Sequence, residues 1–180
     1  MKIKNFSDFF ESKSGTLYDY GCVMVYVRPD DWKSVTSRID PEDLYLPNDP
    51  TYGIETSPHC TVLYGLHPEV SVEDVVSACK GISASDIKIS IEGIGSFENP
   101  EYEVVKMNVE SPVLRVLNSR ISELPHTTDY PDYRPHITVA YVKSGTAGKY
   151  VDPDYRKVFS NIDKIVYSRT NGETVDIPLI

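Results

Sequence analysis

Two seven-residue segments hold the residues best suited to proton transfer. One is Pro58-His59-Cys60-Thr61-Val62-Leu63-Tyr64, the other Pro135-His136-Ile137-Thr138-Val139-Ala140-Tyr141. Both follow the pattern Pro-His-x-Thr-Val-x-Tyr and lie 77 residues apart. The chain has only four histidines, so two in matched contexts form an internal repeat. Imidazole changes protonation near neutral pH. One neutral ring can take a proton from an attacking hydroxyl, and a second, protonated ring can return one to a leaving oxygen. Threonine hydroxyls can donate to oxygens on which charge builds. His59, Thr61, His136 and Thr138 together suit cleavage of a phosphodiester without a metal.

In a strand, alternate residues share a face. His59 therefore lies with Thr61 and His136 with Thr138, while Cys60 and Ile137 turn to the core. A lone His-x-Thr would read as a strand edge; a matched pair does not. Two histidines with no Asp, Glu or Cys at ligand spacing make a thin zinc site, so no metal and no cofactor is expected. His126-Thr127-Thr128 also spells His-x-Thr, but in a loop rich in Pro and Asp, where the shared-face argument fails. His67 precedes Pro68 and reads as a turn residue.

The elements that must carry these residues follow from patterning. Tyr20 to Val27 reads as a buried strand, and residues 30–39 as a short helix capped by Asp30 or Asp31. Pro41 to Pro58 reads as a long ordered loop, often a functional feature. The strand from His59 stops at Gly65. Ser71 starts a helix to about Lys80, with Asp74 completing a near capping box. Ile87 to Ile94 and Tyr102 to Val109 read as strands around an Asn99-Pro100 turn. Pro112 after Ser111 starts a helix to about Leu124, with Val113, Leu117, Ile121 and Leu124 on one face. A second loop, Pro125 to Pro135, leads into the strand from His136 to Val142. Ile162 to Ser168 and Thr174 to Leu179 flank Asn171-Gly172, a hairpin signal. Each half thus runs through strand, proline-rich loop and His-containing strand. That order predicts an α+β fold of two similar lobes. If the lobes pack by a pseudo-twofold, their His-Thr faces meet across a cleft.

Composition bounds the partners. The chain has 180 residues, 40% of them hydrophobic, and a net charge of −9. Long nucleic acid is a poor partner for so acidic a chain; a small anion held by a local donor cluster is not. Three cysteines without a Cys-x-x-Cys pair fit a reducing compartment rather than a disulfide framework. The N-terminus lacks the apolar run of a signal peptide, and no stretch approaches a membrane span. Residues 1–14, with Phe6, Phe9 and Phe10, read as a tail or short docking helix. Residues 15–180 read as one bilobal domain.

The paired motifs resemble those of the 2H phosphoesterase superfamily. The resemblance implies two pseudo-symmetric lobes of antiparallel sheet, with outer helices, around a central cleft. Further blocks narrow it: Gly15-Thr16-Leu17-Tyr18-Asp19-Tyr20-Gly21-Cys22-Val23-Met24, Leu44-Tyr45-Leu46-Pro47-Asn48-Asp49-Pro50, Tyr52-Gly53-Ile54-Glu55, and Leu124-Pro125-His126-Thr127-Thr128-Asp129-Tyr130-Pro131. These are similar to the tailed-phage anti-CBASS cyclic-oligonucleotide phosphodiesterases. The likeness covers about residues 15 to 143, and more loosely the C-terminal hairpin.

That branch implies cleavage of cyclic di- and trinucleotides in the cytoplasm of an infected bacterial host, silencing an immune signal. It implies attack by the ribose 2′-hydroxyl next to the scissile 3′-phosphate, and linear products with a 3′-terminal phosphate. His59, Thr61, His136 and Thr138 match its catalytic tetrad. Tyr18, Tyr20, Tyr26, Tyr64 and Tyr141 are candidates for base stacking or for core packing. Trp32 carries the same two readings. Arg134 and Lys143 are candidates for phosphate contact or solvated charges, and Glu55 for orienting a histidine or reading a base edge.

Two other functions share these residues. An RNA-end 2′,3′-cyclic phosphodiesterase or 2′-5′ ligase-like enzyme would use the same tetrad, but the sequence has no basic stripe. A non-cleaving sponge for cyclic nucleotides would not need an acid–base pair. A virion protein with a fossil site is a third reading.

Overall fold

The structure is a computed structural model that describes residues 18–178 except 28, 50, 51, 131, 160 and 161. The expected N-terminal tail or docking helix lies outside the described residues. Eight strands form one sheet: β1 (Gly21–Val27), β2 (His59–Leu66), β3 (Ile89–Glu98), β4 (Tyr102–Glu110), β5 (His136–Lys143), β6 (Asp152–Phe159), β7 (Ile162–Ser168) and β8 (Thr174–Ile177). Their order is β6-β3-β4-β5-β2-β1-β7-β8, and every pairing is antiparallel. Each half of the sheet therefore has four strands, and the two motif strands meet at the centre.

Among the described residues, three α-helices accompany the sheet: α1 (Trp32–Thr36), α2 (Val72–Cys79) and α3 (Pro112–Ile121). α2 begins with a full capping box: Ser71 Oγ accepts from Asp74 N at 3.1 Å, and Asp74 Oδ2 accepts from Ser71 N at 2.9 Å. α3 begins at Pro112 with Ser111 as cap and buries Leu114, Leu117 and Ile121. The expected face is thus widened by Leu114, with Val113 and Leu124 partly buried against the same core. α1 is shorter than the sequence suggests. Asp31 holds the N-cap position as expected, but its carboxylate makes no cap hydrogen bond; it takes a hydrogen bond from Tyr155 Oη and an ion pair from Lys157.

β6 was not legible in the sequence. It is an edge strand containing Pro153, which cannot donate to a ladder and is tolerated at an edge. β3 also runs later than the alternation suggests, to Glu98. The Asn171-Gly172 turn joins β7 to β8 as expected, with Gly172 at φ 83°.

One face of the sheet is dry. Val23, Val25, Cys60, Val62, Met107, Ile137 and Val139 join Leu114, Leu117 and Ile121 in the main core. On the order of 25 cal/mol per Å² of buried apolar area supports this layer. The opposite face carries the polar residues of β2 and β5.

Candidate active site

β2 and β5 bridge at Cys60 and Ile137. Antiparallel register then sets His59 opposite Thr138 and Thr61 opposite His136. The two motif strands meet at this one bridge, which brings both His-Thr pairs together between the two halves of the sheet. Directly opposed side chains in such a pair have Cβ atoms about 5 Å apart, close enough for all four to surround one phosphate.

Both motif strands carry a bulge at the same repeat position. β1 pairs Val23 with Leu63 and Met24 with Thr61, skipping Val62. β4 pairs Val105 with Ala140 and Lys106 with Thr138, skipping Val139. The extra residue flips the strand phase, so Tyr64 and Tyr141 return to the His-Thr face. The freed carbonyls have partners. Asn118 Nδ2 on α3 donates to Val62 O at 2.8 Å, and Tyr133 Oη donates to Thr61 O at 2.9 Å. Glu55 N donates to Val139 O at 2.9 Å.

The two proline-rich loops brace opposite strands. In the first loop, Leu44 bridges Val142 and Ile54 bridges Ala140, both on β5. Residues 125–127 run beside β2, where Leu66 bridges His126 and Thr127 N donates to Gly65 O at 2.9 Å. The exchange reproduces the pseudo-twofold of the motifs.

Each catalytic candidate is oriented the same way. His59 Nδ1 donates to Ser57 O at 2.9 Å, and His136 Nδ1 donates to Arg134 O at 3.0 Å. A carbonyl only accepts, so Nδ1 carries the hydrogen and Nε2 is the nitrogen that gains or loses a proton. Burial lowers the His59 pKa; the Glu55 carboxylate and the Ser57 hydrogen bond oppose that shift. Burial also pulls His136 down, to about 4, against its bond to Arg134 O and with help from the charges of Lys106 and His59. The charge of His59 thus acts on His136, as expected for two imidazoles on neighbouring strands.

The flanks carry aromatic rings. Tyr26 packs on His59 at 5.8 Å between ring centres, and Phe97 meets His136 edge-on at 4.9 Å. Lys106 Nζ lies 4.3 Å over the Phe97 ring and donates to Asn108 Oδ1. Beyond the tetrad, the two ends of the face differ. At the β5 end, Tyr45, Tyr52, Tyr102 and Tyr141 form a cluster with centre distances of 5.1–5.7 Å. At the β2 end, Tyr20 contacts Tyr64 and His67 at 6.0 Å each, and Tyr18 and Tyr64 cover Cys22 and Met24.

The other candidates do not join the His-Thr face itself. Arg134 is exposed and faces Asp132 at 3.8 Å; only its backbone carbonyl serves His136. Lys143 Nζ donates to Glu42 O at 2.6 Å and so ties down the first loop. Glu55 Oε1 accepts from Ser57 N at 2.7 Å, just behind His59. Trp32 Nε1 donates to Glu55 O at 3.0 Å, a packing role. His126 Nδ1 donates to Leu124 O, and His67 Nε2 lies 2.8 Å from Thr127 Oγ1, so both serve the second loop. Phe97, Lys106 and Asn108 were missed by sequence reasoning; Lys106 and Asn108 alternate along the expected Tyr102 to Val109 strand, whereas Phe97 lies beyond the expected end of the strand before it. Among the described residues, no three His, Cys, Asp or Glu side chains converge as a metal site. No helix there is long and apolar enough to cross a membrane.

A family model described as the 2′-5′ RNA ligase superfamily matches residues 29–162, most of the chain and both motifs. The chain belongs to that superfamily, a group of 2H phosphoesterases. No curated protein sequence matches this 2H chain. Among solved structures, its fold resembles Kluyveromyces marxianus Usb1, with 8% identity, 91% of this chain and 99% of that one covered, and a TM-score of 0.56. Usb1 from the same yeast with uridine monophosphate aligns over 89% of this chain and 98% of that one at 8% identity, TM-score 0.53. A structure described as a phosphoesterase is 14% identical over 88% of this chain and 95% of its own, TM-score 0.49. The two Usb1 likenesses establish the fold of this 2H chain.

Proposed function

We propose that the protein is a metal-independent phosphodiesterase that opens cyclic di- and trinucleotides at 3′-5′ bonds. The carrying observation is the antiparallel register at Cys60 and Ile137, with a histidine facing a threonine on each side. A phosphate lying over these two strands meets two proton carriers and two hydroxyl donors. The 2′-hydroxyl loses its proton to one imidazole and bonds to phosphorus. The 5′-oxygen leaves and takes a proton from the other. Thr61 and Thr138 donate to the non-bridging oxygens as charge builds. The resulting 2′,3′-cyclic phosphate is opened by water with the histidine roles reversed, leaving a 3′-phosphate.

Support for a compact nucleotide comes from the surroundings. Tyrosine-rich surfaces occupy both ends of the reacting face, and base stacking on such rings is sequence-tolerant. The net charge of −9 disfavours a long polyanion. The loop blocks around the motifs carry the further reading that a phage uses the enzyme against a host cyclic-nucleotide alarm.

The test is turnover of 3′,3′-cyclic dinucleotides in excess EDTA. His59→Ala and His136→Ala should each abolish it with the fold intact by circular dichroism. Undiminished turnover in both variants overturns the assignment, and complete dependence on added metal overturns the mechanism. A second reading, cleavage of RNA 2′,3′-cyclic ends, draws on the family and on the Usb1 structure with uridine monophosphate. Faster turnover of such ends than of cyclic dinucleotides would favour it.

A further inference from the structure

The two histidines have matched backbones but unmatched neighbours. His136 sits beside β4, which presents Lys106 opposite Thr138 and Asn108 opposite His136 itself. Lys106 Nζ and the His136 ring pack on the same Phe97 ring, at 4.3 and 4.9 Å from its centre. Asn108 Oδ1 fixes the ammonium there. The other charges near His136 are His59 on β2 and Arg134, whose side chain points to solvent beside Asp132. Among the described residues, no carboxylate acts on His136.

His59 has the opposite setting. Glu55 lies behind it, its carboxylate accepting from Ser57 N while Ser57 O accepts from His59 Nδ1. Trp32 and Val139 fix the Glu55 backbone. Other described groups on that side include Tyr26, Lys164 and Asp176. Burial raises the Tyr26 pKa, so its hydroxyl stays neutral. Lys164 is paired with Asp176 at 3.0 Å.

We infer that Lys106 and Glu55 divide the labour of the pair in ring opening: His136 takes the proton from the attacking 2′-hydroxyl, and His59 delivers one to the leaving 5′-oxygen. The ammonium beside His136 disfavours imidazolium and keeps Nε2 ready to accept. The carboxylate behind His59 favours imidazolium and keeps Nε2 ready to donate. The desolvated cation also lies one strand from the phosphate, where it offsets the charge of the transition state. Lys106 and Glu55 thus act through the histidines. This inference rests on the phosphodiesterase reading above.

A leaving-group substitution separates the roles. A bridging 5′-sulfur leaves as thiolate and needs no proton, so it bypasses the acid but not the base. The probes are 3′,3′-cyclic di-AMP and its analogue with sulfur in place of one bridging 5′-oxygen. His59→Ala should cleave the sulfur analogue at least 100-fold faster than the oxygen substrate, and His136→Ala should gain nothing. Rescue of His136→Ala alone overturns the assignment.

Histidine titration by NMR in the unliganded protein supplies a readout independent of turnover. Lys106→Met should raise the His136 midpoint by about 1 pH unit, with Lys106→Arg restoring it, and Glu55→Gln should lower that of His59. Unmoved midpoints overturn the electrostatic division. If the wild-type protein cleaves neither probe while the midpoints move as stated, the phosphodiesterase reading fails and the charge asymmetry stands.

Discussion

Cys60 and Ile137 face each other across β2 and β5, and both side chains are fully buried on the face away from the tetrad. That single register aligns the side chains of His59, Thr61, His136 and Thr138. It also removes the Cys60 thiol from chemistry, although it is flanked in sequence by His59 and Thr61. Burial pushes the Cys60 pKa up to about 12 and that of Cys79 up to about 11, and raises Cys22 as well. Thiolate is the reactive form. The native protein should therefore resist alkylation by iodoacetamide at pH 8, read by mass spectrometry. Cys60→Ala should keep full turnover while losing about 1 kcal/mol of stability to the small void.

The bulge at Val62 depends on a side chain far away in sequence. Asn118 donates to the Val62 carbonyl from α3, at a position otherwise read only as the polar side of an amphipathic helix. Asn118→Leu leaves that buried carbonyl unpaired, at a cost of about 1–3 kcal/mol. The expected result is a lower Tm together with a loss of turnover larger than partial unfolding explains, because Thr61 and Tyr64 sit on either side of the bulge. Urea unfolding and kcat measured on one preparation check both.

The shared face of His59 with Thr61 and of His136 with Thr138 was legible because strand period and repeat agreed. His59 and Thr61 share a face over two residues, too short a run for a bulge to disturb. The same counting fails three residues later: a strict period of two sends Tyr64 and Tyr141 to the wrong face, and nothing local announces a bulge. Phe97 and Lys106 were hidden for another reason. They reach His136 through the β3-β4-β5 pairing, a non-local choice that periodicity does not encode. β6 was hidden by Pro153, which argues against a strand everywhere except at an edge.

Thr61 and Thr138 face the histidine of the other strand, so each is placed as a donor to the phosphate. Removing one preorganised donor to developing charge costs on the order of 100-fold in rate. Thr61→Val and Thr138→Val should each lower kcat by about that much with little change in KM, whereas Ser at either position should restore most of it. A loss confined to KM would mean that the hydroxyls bind the ground state only.

The pH dependence follows from the signs of the shifts. A general base must be neutral, so activity falls as pH drops through its pKa. A general acid must be protonated, so activity falls as pH rises through its own. Both imidazoles are lowered by burial, His136 to about 4. The kcat/KM profile, which reports the free enzyme, should be bell-shaped with its centre below the ordinary imidazole value. A bound phosphate anion favours both imidazolium forms, so the kcat profile should move to higher pH. The two limbs belong to the coupled pair rather than to one residue each. Coincident kcat and kcat/KM profiles would contradict the phosphate lying against both rings.

Gly65 sits just past Tyr64, where β2 meets the second proline-rich loop. Its φ is 113°, outside the range that side-chain-bearing residues adopt comfortably, and a Cβ there would lie 1.9 Å from Thr127 O. The contact is part of the brace, since Thr127 N donates to Gly65 O and His67 Nε2 meets Thr127 Oγ1 at 2.8 Å. The obstacle is backbone, so no rotamer change relieves it. Gly65→Ala must push the loop off the strand, and should cost more than the roughly 1 kcal/mol of left-handed strain alone. The consequence is directional: β2 loses its partner at the Tyr64 end, while β5, the other end of the face, keeps its own. A Tm drop with weakened binding of cyclic dinucleotide and an unchanged His136 titration midpoint is the expected pattern. A shift of that midpoint would mean that the loop supports the reaction centre as a whole rather than its β2 end.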